Sequence, residues 1–290
     1  MEFSIIIPTF ENFHYCKLTI DSIKENSSFN HEIIVHINGT DYETENYLKN
    51  INILYTKSSI NIGLCSGVNT AYSKSTKDYI LYSHDDMYFL PEWDLALIKE
   101  IENMKNDKFY LSMTQIATSG PVKGNIQHIQ FDCGDSFDNF DKGKLLKNYN
   151  TFNFKELQGS HWAPHLVPRN LWDKVGGFSE EFNPGDGSDP DFCMKLWKQN
   201  VRIFKGVSKF KVYHFNSLTT RNDKIVLNNG TRTFLSKYGF NPKFFRKYYL
   251  RGNNSVIPFK GRLNNPKKNL SMLLDLSINK IKYTINKFRA

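Results

Sequence analysis

Residues 79–87 of this 290-residue chain read Tyr79-Ile80-Leu81-Tyr82-Ser83-His84-Asp85-Asp86-Met87, an apolar run that stops abruptly at two adjacent carboxylates. The leading residues, mostly apolar and aromatic, have the pattern of a buried strand. The acids that end it are not core residues, because burying an unpaired carboxylate is too costly. At the carboxyl end of a strand they stand where open α/β sheets bind ligands. Oxygen donors of this kind suit Mg2+ or Mn2+, and those cations in turn suit a diphosphate. Taken alone, the segment reads equally well as a solvated turn after a strand.

Other elements must place this pair. Ser4 to Phe10 forms a first strand, interrupted by Pro8, and residues 14 to about 26 carry Leu18, Ile20 and Ile23 at helical spacing. Glu32 to Ile37 is a second strand, closed by Asn38-Gly39-Thr40-Asp41. Ile51 to Tyr55 is a short third strand, and Asn61-Ile62-Gly63 leads into a helix over about 64–75 before Tyr79–Ser83. Strands alternating with helices imply parallel βαβ units with helices on both faces. Short strands are expected near Phe109–Met113 and Ile126–Phe131, a helix from Asp191 to about Gln199, and strands over Val201–Lys205 and Lys211–His214. A more helical extension follows His214, with a polar linker near Asn253–Pro266. The division expected is a catalytic region over 1–215, with a nucleotide-binding half over 1–107 and an acceptor half over 108–215, then an extension over 216–290.

Hydrophobic residues at 40% and aromatics at 14% supply a full core and argue against disorder. The net charge of +9 is concentrated at one end. Residues 241–290 hold twelve Lys/Arg and one acid, Asp275, a balance of +11, whereas the first 240 hold 26 Lys/Arg against 28 Asp/Glu, a balance of −2. A nucleic-acid enzyme would place basic residues around its cleft, so no nucleic-acid partner is expected. Cys16, Cys65, Cys133 and Cys193 are scattered, as in a cytoplasmic protein with free thiols. Met1-Glu2-Phe3-Ser4 passes straight into the first strand with no signal-peptide pattern, and no apolar run is long enough to span a membrane.

Four separated pieces together resemble the family 2 glycosyltransferases. They are Ser4-Ile5-Ile6-Ile7-Pro8-Thr9-Phe10; Asn61-Ile62-Gly63 with Asn69 downstream; His84-Asp85-Asp86 followed by Pro91; and Val175-Gly176-Gly177-Phe178-Ser179-Glu180-Glu181-Phe182 with Ser188-Asp189-Pro190-Asp191-Phe192-Cys193 and Val212-Tyr213-His214. Their order and spacing cover about residues 3–215. The resemblance implies the A-type nucleotide-sugar transferase fold, a Rossmann-like and mostly parallel sheet flanked by helices. The chain departs from the family pattern at three places. His36 and Asn38 follow the second strand where an acid is usual, His84 takes the first position of the Asp-x-Asp, and Ser188 replaces the acid before the catalytic Asp.

The implied activity is a metal-dependent inverting transfer of a sugar from a nucleotide donor, a UDP-sugar first, to a hydroxyl of a glycan or lipid-linked glycan, as in polysaccharide biosynthesis. Asp86 stands at the main metal position, for Mn2+ or Mg2+, and His214 is a further metal or phosphate ligand or a structural histidine. Asp189 stands at the base position and Asp191 is the second candidate. A helix cap would use Asp189 too, with Pro190 in the first turn. Nucleotide-sugar contacts fall to Pro8, Thr9, Glu11, His36, Asn38, Asn61, Gly63, Asn69, His84, Asp85 and Gly177. His161-Trp162 offers an aromatic face for a sugar or, equally, core packing.

Residues 269–290 place Leu270, Leu274, Ile278, Ile281, Ile285 and Phe288 at steps of three and four, with lysines interspersed. Such a helix either binds an anionic membrane surface, here on its cytoplasmic side, or packs its stripe on protein. Two rival functions share these motifs. A sugar nucleotidyltransferase needs a Gly-rich basic loop after its first strand, which Pro8-Thr9-Phe10-Glu11-Asn12 is not. A degenerate glycan-binding or scaffold protein is suggested by His36, His84 and Ser188.

Overall fold

The computed structural model describes residues 1–118, 128–215, 228–252 and 257–288. Positions 126–127, 253–256 and 289–290 of the expected strand, linker and tail lie outside the described residues. The strands are β1 (Ser4–Thr9), β2 (Glu32–Asn38), β3 (Leu54–Ser58), β4 (Tyr79–Tyr82), β5 (Met87–Phe89), β6 (Phe109–Ala117), β7 (His128–Gln130), β8 (Leu157–Gln158), β9 (His165–Pro168) and β10 (Ile203–His214). The helices are α1 (Phe13–Asn26), α2 (Tyr42–Asn50), α3 (Leu64–Tyr72), α4 (Trp93–Glu102), α5 (Lys142–Asn148), α6 (Arg169–Val175), α7 (Ser188–Lys198), α8 (Gly230–Tyr238), α9 (Pro242–Tyr248) and α10 (Leu270–Phe288).

One sheet runs β3-β2-β1-β4-β9-β6-β10-β5, with β7 beside β6 and β8 beside β10. Its first four strands are parallel, and beyond β4 the sheet is mixed, because β9 runs antiparallel to both β4 and β6. The chain winds outward from β1 to β3 and then returns to place β4 on the other side of β1. That reversal leaves a crevice past the carboxyl ends of β1 and β4, the general ligand position of such sheets.

Strand side chains alternate between two buried layers. Ile5 and Ile7 pack beneath α1 and α4 with Cys16, Ile20, Trp93 and Leu97. Ile6 and Ile34 face the opposite layer, built from α3, α6 and α7 with Val68, Trp172, Phe192 and Trp197. Phe234, Phe244 and Phe245 of α8 and α9 join this second layer, so both helices are part of the same core as α7.

Three local expectations are corrected. The third strand is Leu54–Ser58, not 51–55, because Ile51 and Asn52 form the turn out of α2 and Asn52 takes φ 54°. Val201–Lys205 and Lys211–His214 are not separate strands. They are one strand, β10, which stays paired to β6 across a register shift between Gly206 and Lys211. The helix expected from Asp191 starts at Ser188. α2 itself was not expected. Asp41 caps it by accepting the Thr44 N–H at 3.0 Å, and only Thr44, Glu45 and Leu48 are buried, so it shows no apolar stripe.

Candidate active site

The Asp85-Asp86 turn is held from three sides. The Thr9 hydroxyl, at the end of β1, donates to Asp85 Oδ2 at 2.7 Å. Thr19 of α1 lies with its hydroxyl 2.8 Å from the Asp85 carbonyl and accepts the Met87 N–H at 3.0 Å. Strand β5 then pairs antiparallel with β10, setting His214 opposite Met87, and the Phe215 N–H donates to the Asp86 carbonyl at 3.2 Å. This pairing, between segments far apart in sequence, is what brings His214 to Asp86.

The result is a cluster of His84, Asp86 and His214 in which one donor atom from each lies within 4.8 Å of the others. His214 Nε2 is 3.3 Å from Asp86 Oδ1, yet among the described residues neither ring nitrogen of this buried histidine has a hydrogen-bond partner. Buried polar atoms are normally satisfied, so an imidazole left this way fits a missing ligand. Burial pushes His84 down to about 4, which keeps its ring neutral and able to donate a lone pair. Two imidazoles and a carboxylate fit a divalent cation. Burial, reinforced by the neighbouring Asp86, raises Asp85 to about 7.

Asp189 reaches the same space from α7. The loop before it, 183–187, is locked to α3: the Asn183 side chain accepts the Cys65 N–H at 2.9 Å and donates to Ser66 Oγ at 2.7 Å, and the Pro184 carbonyl accepts the Leu64 N–H at 3.1 Å. On its other side the loop meets α8, whose Gly230 N–H donates to Asp186 Oδ2 at 2.9 Å. A Cβ at Gly230 would come within 2.0 Å of the Asp186 carbonyl oxygen, so only glycine permits this contact. Among the described residues the Asp189 carboxylate makes no hydrogen bond and no ion pair. Burial raises it to about 7. Asp191 is the opposite case. Wholly buried, it accepts from Ser179 at 2.6 Å and Tyr238 at 2.7 Å and pairs with Lys237 at 2.9 Å.

A cleft of about 660 Å³ is lined by Pro8, Thr9, Asn38, Asn61, His84, Asp85, Asp86, Trp162 and Asp189 among the residues singled out in the sequence, with His214 behind Asp86. The others lie off its wall. His36 is buried in the sheet, bonded through Nδ1 to Thr56 at 2.9 Å and pressed down to about 4 by burial. Asn69 bonds both backbone polar groups of Phe178, at 2.8 and 2.9 Å, and a Cβ on Gly177, at φ 62°, would fall 2.3 Å from its Oδ1. Gly63 takes φ 86° beside Asn183, and Asn61 closes this turn by accepting the Gly63 N–H at 2.9 Å. Glu11 is exposed with φ 47°, and His161 is buried behind Trp162, its ring tilted against the indole at 4.7 Å between centroids. Burial holds His161 down to about 3.

Sequence reasoning missed Thr19, Asn183 and two cations of α9, Lys243 and Arg246, that line the cleft. Arg246 is half-buried, and among the described residues its guanidinium has no partner; burial lowers its pKa. The Asn183-Pro184-Gly185 turn signal was the one available hint to the first loop.

A crevice at the β1/β4 reversal, an acid pair at its rim and a carboxylate entering from a helix opposite are the arrangement of A-type nucleotide-sugar transferases, and solved structures of that class superpose on this chain. S. aureus TarS 1–349 in complex with UDP-GlcNAc is 13% identical with a TM-score of 0.60, covering 100% of this chain and 73% of that one. TarS 1–349 alone is 16% identical at 0.55 and covers 74% of this chain, which spans 60% of its length. The mannosyltransferase PcManGT from Pyrobaculum calidifontis, in complex with GDP-Man and Mn2+, is 12% identical at 0.51, covering 82% and 60%. These likenesses show the fold. The glycosyl transferase family 2 model matches residues 4–161, more than half of the sequence, and the chain belongs to that family. No curated protein sequence matches it.

Proposed function

We propose that this protein transfers a sugar, with inversion, from a nucleotide-sugar donor to a hydroxyl of a glycan or lipid-linked glycan acceptor. The observation that carries the reading is that His84 and Asp86, which form a cluster with His214, line one cleft with the unpartnered Asp189 carboxylate. A divalent cation held by His84, Asp86 and His214 would offset charge on the departing diphosphate. The two imidazoles favour Mn2+ over Mg2+, which prefers an all-oxygen shell.

The chain's own groups divide the rest of the work. Pro8, Thr9, Asn38 and Asn61 form the wall against which the nucleoside lies. Asp189 accepts the proton of the acceptor hydroxyl as that oxygen bonds to the anomeric carbon and the bond to the nucleoside diphosphate breaks. A single displacement of this kind inverts the anomeric centre. With a pKa near 7, Asp189 is basic enough to take the proton, and about half of it is ionised at neutral pH. Trp162 offers an apolar face to a pyranose, and Lys243 with Arg246 places positive charge where an anionic part of either substrate passes. A UDP-sugar is the first donor to try, because TarS binds UDP-GlcNAc, followed by GDP-mannose, which PcManGT binds.

The test is release of nucleoside diphosphate from UDP-, GDP- and TDP-sugars, and of CMP from CMP-sugars, with Mn2+ and with glycan acceptors. Turnover of one donor is expected, lost by about 10²–10⁴-fold in Asp189→Asn with donor binding kept. Full turnover in that variant refutes the assignment. Donor binding without turnover in the native chain would instead favour a degenerate binding protein.

A further inference from the structure

Helix α10 has two apolar faces, and only one of them is used within the chain. Met272 and Asn279 are buried, at 8% and 4% exposure, with Leu276 and Tyr283 half-buried on the same side. Asn279 Oδ1 accepts the Asn241 N–H at 2.9 Å, and Asp275 accepts from Lys247 and Tyr248 at 2.7 Å each, tying α10 to α9. At about 100° per residue, the opposite side carries Leu270, Leu274, Ile278, Ile281 and Ile285. These are exposed at 74%, 57%, 49%, 62% and 46%. The stripe read from the sequence is therefore the outer face, and packing on protein falls to residues between its members. Single exposed aliphatic residues are ordinary, but five aligned along one helix mark a contact surface.

Charge selects the occupant. Lys280 and Lys282 project to either side of the stripe, and Lys267 and Lys268 precede it, all four exposed. The one acid of the whole basic segment, Asp275, is turned inward and neutralised by Lys247. An isologous contact with a second copy would bring two such positively charged helices together. An anionic lipid surface complements them while the stripe enters the acyl boundary. At nineteen residues the helix is about 28 Å long. Among the described residues no helix is long and apolar enough to cross a membrane. It would lie in the plane of the surface.

We propose that the outer face of α10 docks this protein on an anionic lipid bilayer. The helices beneath it, α8 and α9, contribute Thr231, Asn241, Pro242, Lys243 and Arg246 to the cleft wall, so docking holds the cleft close to the lipid headgroups. The inference stands on α10 alone and needs no catalytic activity.

Flotation of the full chain with vesicles tests it, using mixed phosphatidylglycerol and phosphatidylcholine vesicles against phosphatidylcholine alone. The native chain is expected to float with the anionic vesicles and to be released by salt. Leu274→Ser with Ile281→Ser and Ile285→Ser should weaken vesicle binding about tenfold per residue, with an unchanged melting temperature because these side chains are already exposed. Lys280→Gln with Lys282→Gln should weaken it about fivefold per residue, and is the check if the first variant misfolds. Failure of the native chain to float overturns the proposal, as does undiminished flotation of both variants. So does a dimer in sedimentation that the triple substitution splits while the native chain binds no vesicles.

Discussion

Asp189→Asn should stabilise the fold while removing turnover, and the gain should depend on pH. Burial raises this carboxyl from its ordinary 3.8 to about 7, and among the described residues no partner offsets the cost of its charge. The folded chain therefore keeps the proton up to about pH 7, whereas the unfolded chain releases it near 3.8. As pH rises between these values the native protein loses stability, and above 7 the whole loss is present. A shift of about three units corresponds to about 4 kcal/mol as an upper bound. The carboxylate opens onto the water of the cleft, which reduces this to about 2 kcal/mol. Asparagine has the same shape and no charge, so thermal melts of metal-free, ligand-free protein should coincide near pH 4 and separate by roughly 4–8 °C above pH 7. The native kcat/KM should rise with pH through about 7 for the same reason. A pH-independent gap in the melts, or an asparagine variant less stable than native above pH 7, would refute the reasoning.

Other outcomes follow from the same geometry. His214→Ala should weaken Mn2+ binding, measured by titration calorimetry without substrate, by more than about tenfold, the loss that even outer partners of a metal site can cause; unchanged affinity would remove His214 from the ligand set. Arg246→Gln should raise KM for the donor or the acceptor about 10–100-fold, the worth of a charge-assisted hydrogen bond, without lowering the melting temperature; unaltered KM for both would leave this guanidinium without a role in binding. Asp191→Ala should cost about 3 kcal/mol in urea unfolding, since it leaves Lys237, Tyr238 and Ser179 without their shared acceptor; a neutral result would contradict its reading as a structural carboxylate.

Much of the architecture is written in local patterns. The run from Ser4 to Thr9 alternates between two layers, and its helix, the second strand and the Asp85-Asp86 turn all lie where periodicity puts them. What escaped was of two kinds. Some elements have weak local signals: α2 is polar and stands on its cap, and β10 hides its continuity behind a register shift at Gly206. The rest depends on contacts distant in sequence. Nothing near Asn183 indicates that its amide fastens α3, and nothing in Arg246 separates it from the other basic residues of the last fifty. The tail periodicity was legible, but which of its two apolar faces meets the core depends on the partners α8 and α9 present.

The most direct measurement is a crystal structure with Mn2+ and an unreactive analogue of the donor that turns over, with the metal located by its anomalous signal. The expected result is a metal peak bonded to Asp86 and His214 and to the diphosphate, with the anomeric carbon facing Asp189 across the cleft. A metal bound away from the His84–Asp86–His214 cluster, or a sugar whose anomeric carbon points away from Asp189, would contradict the proposed mechanism.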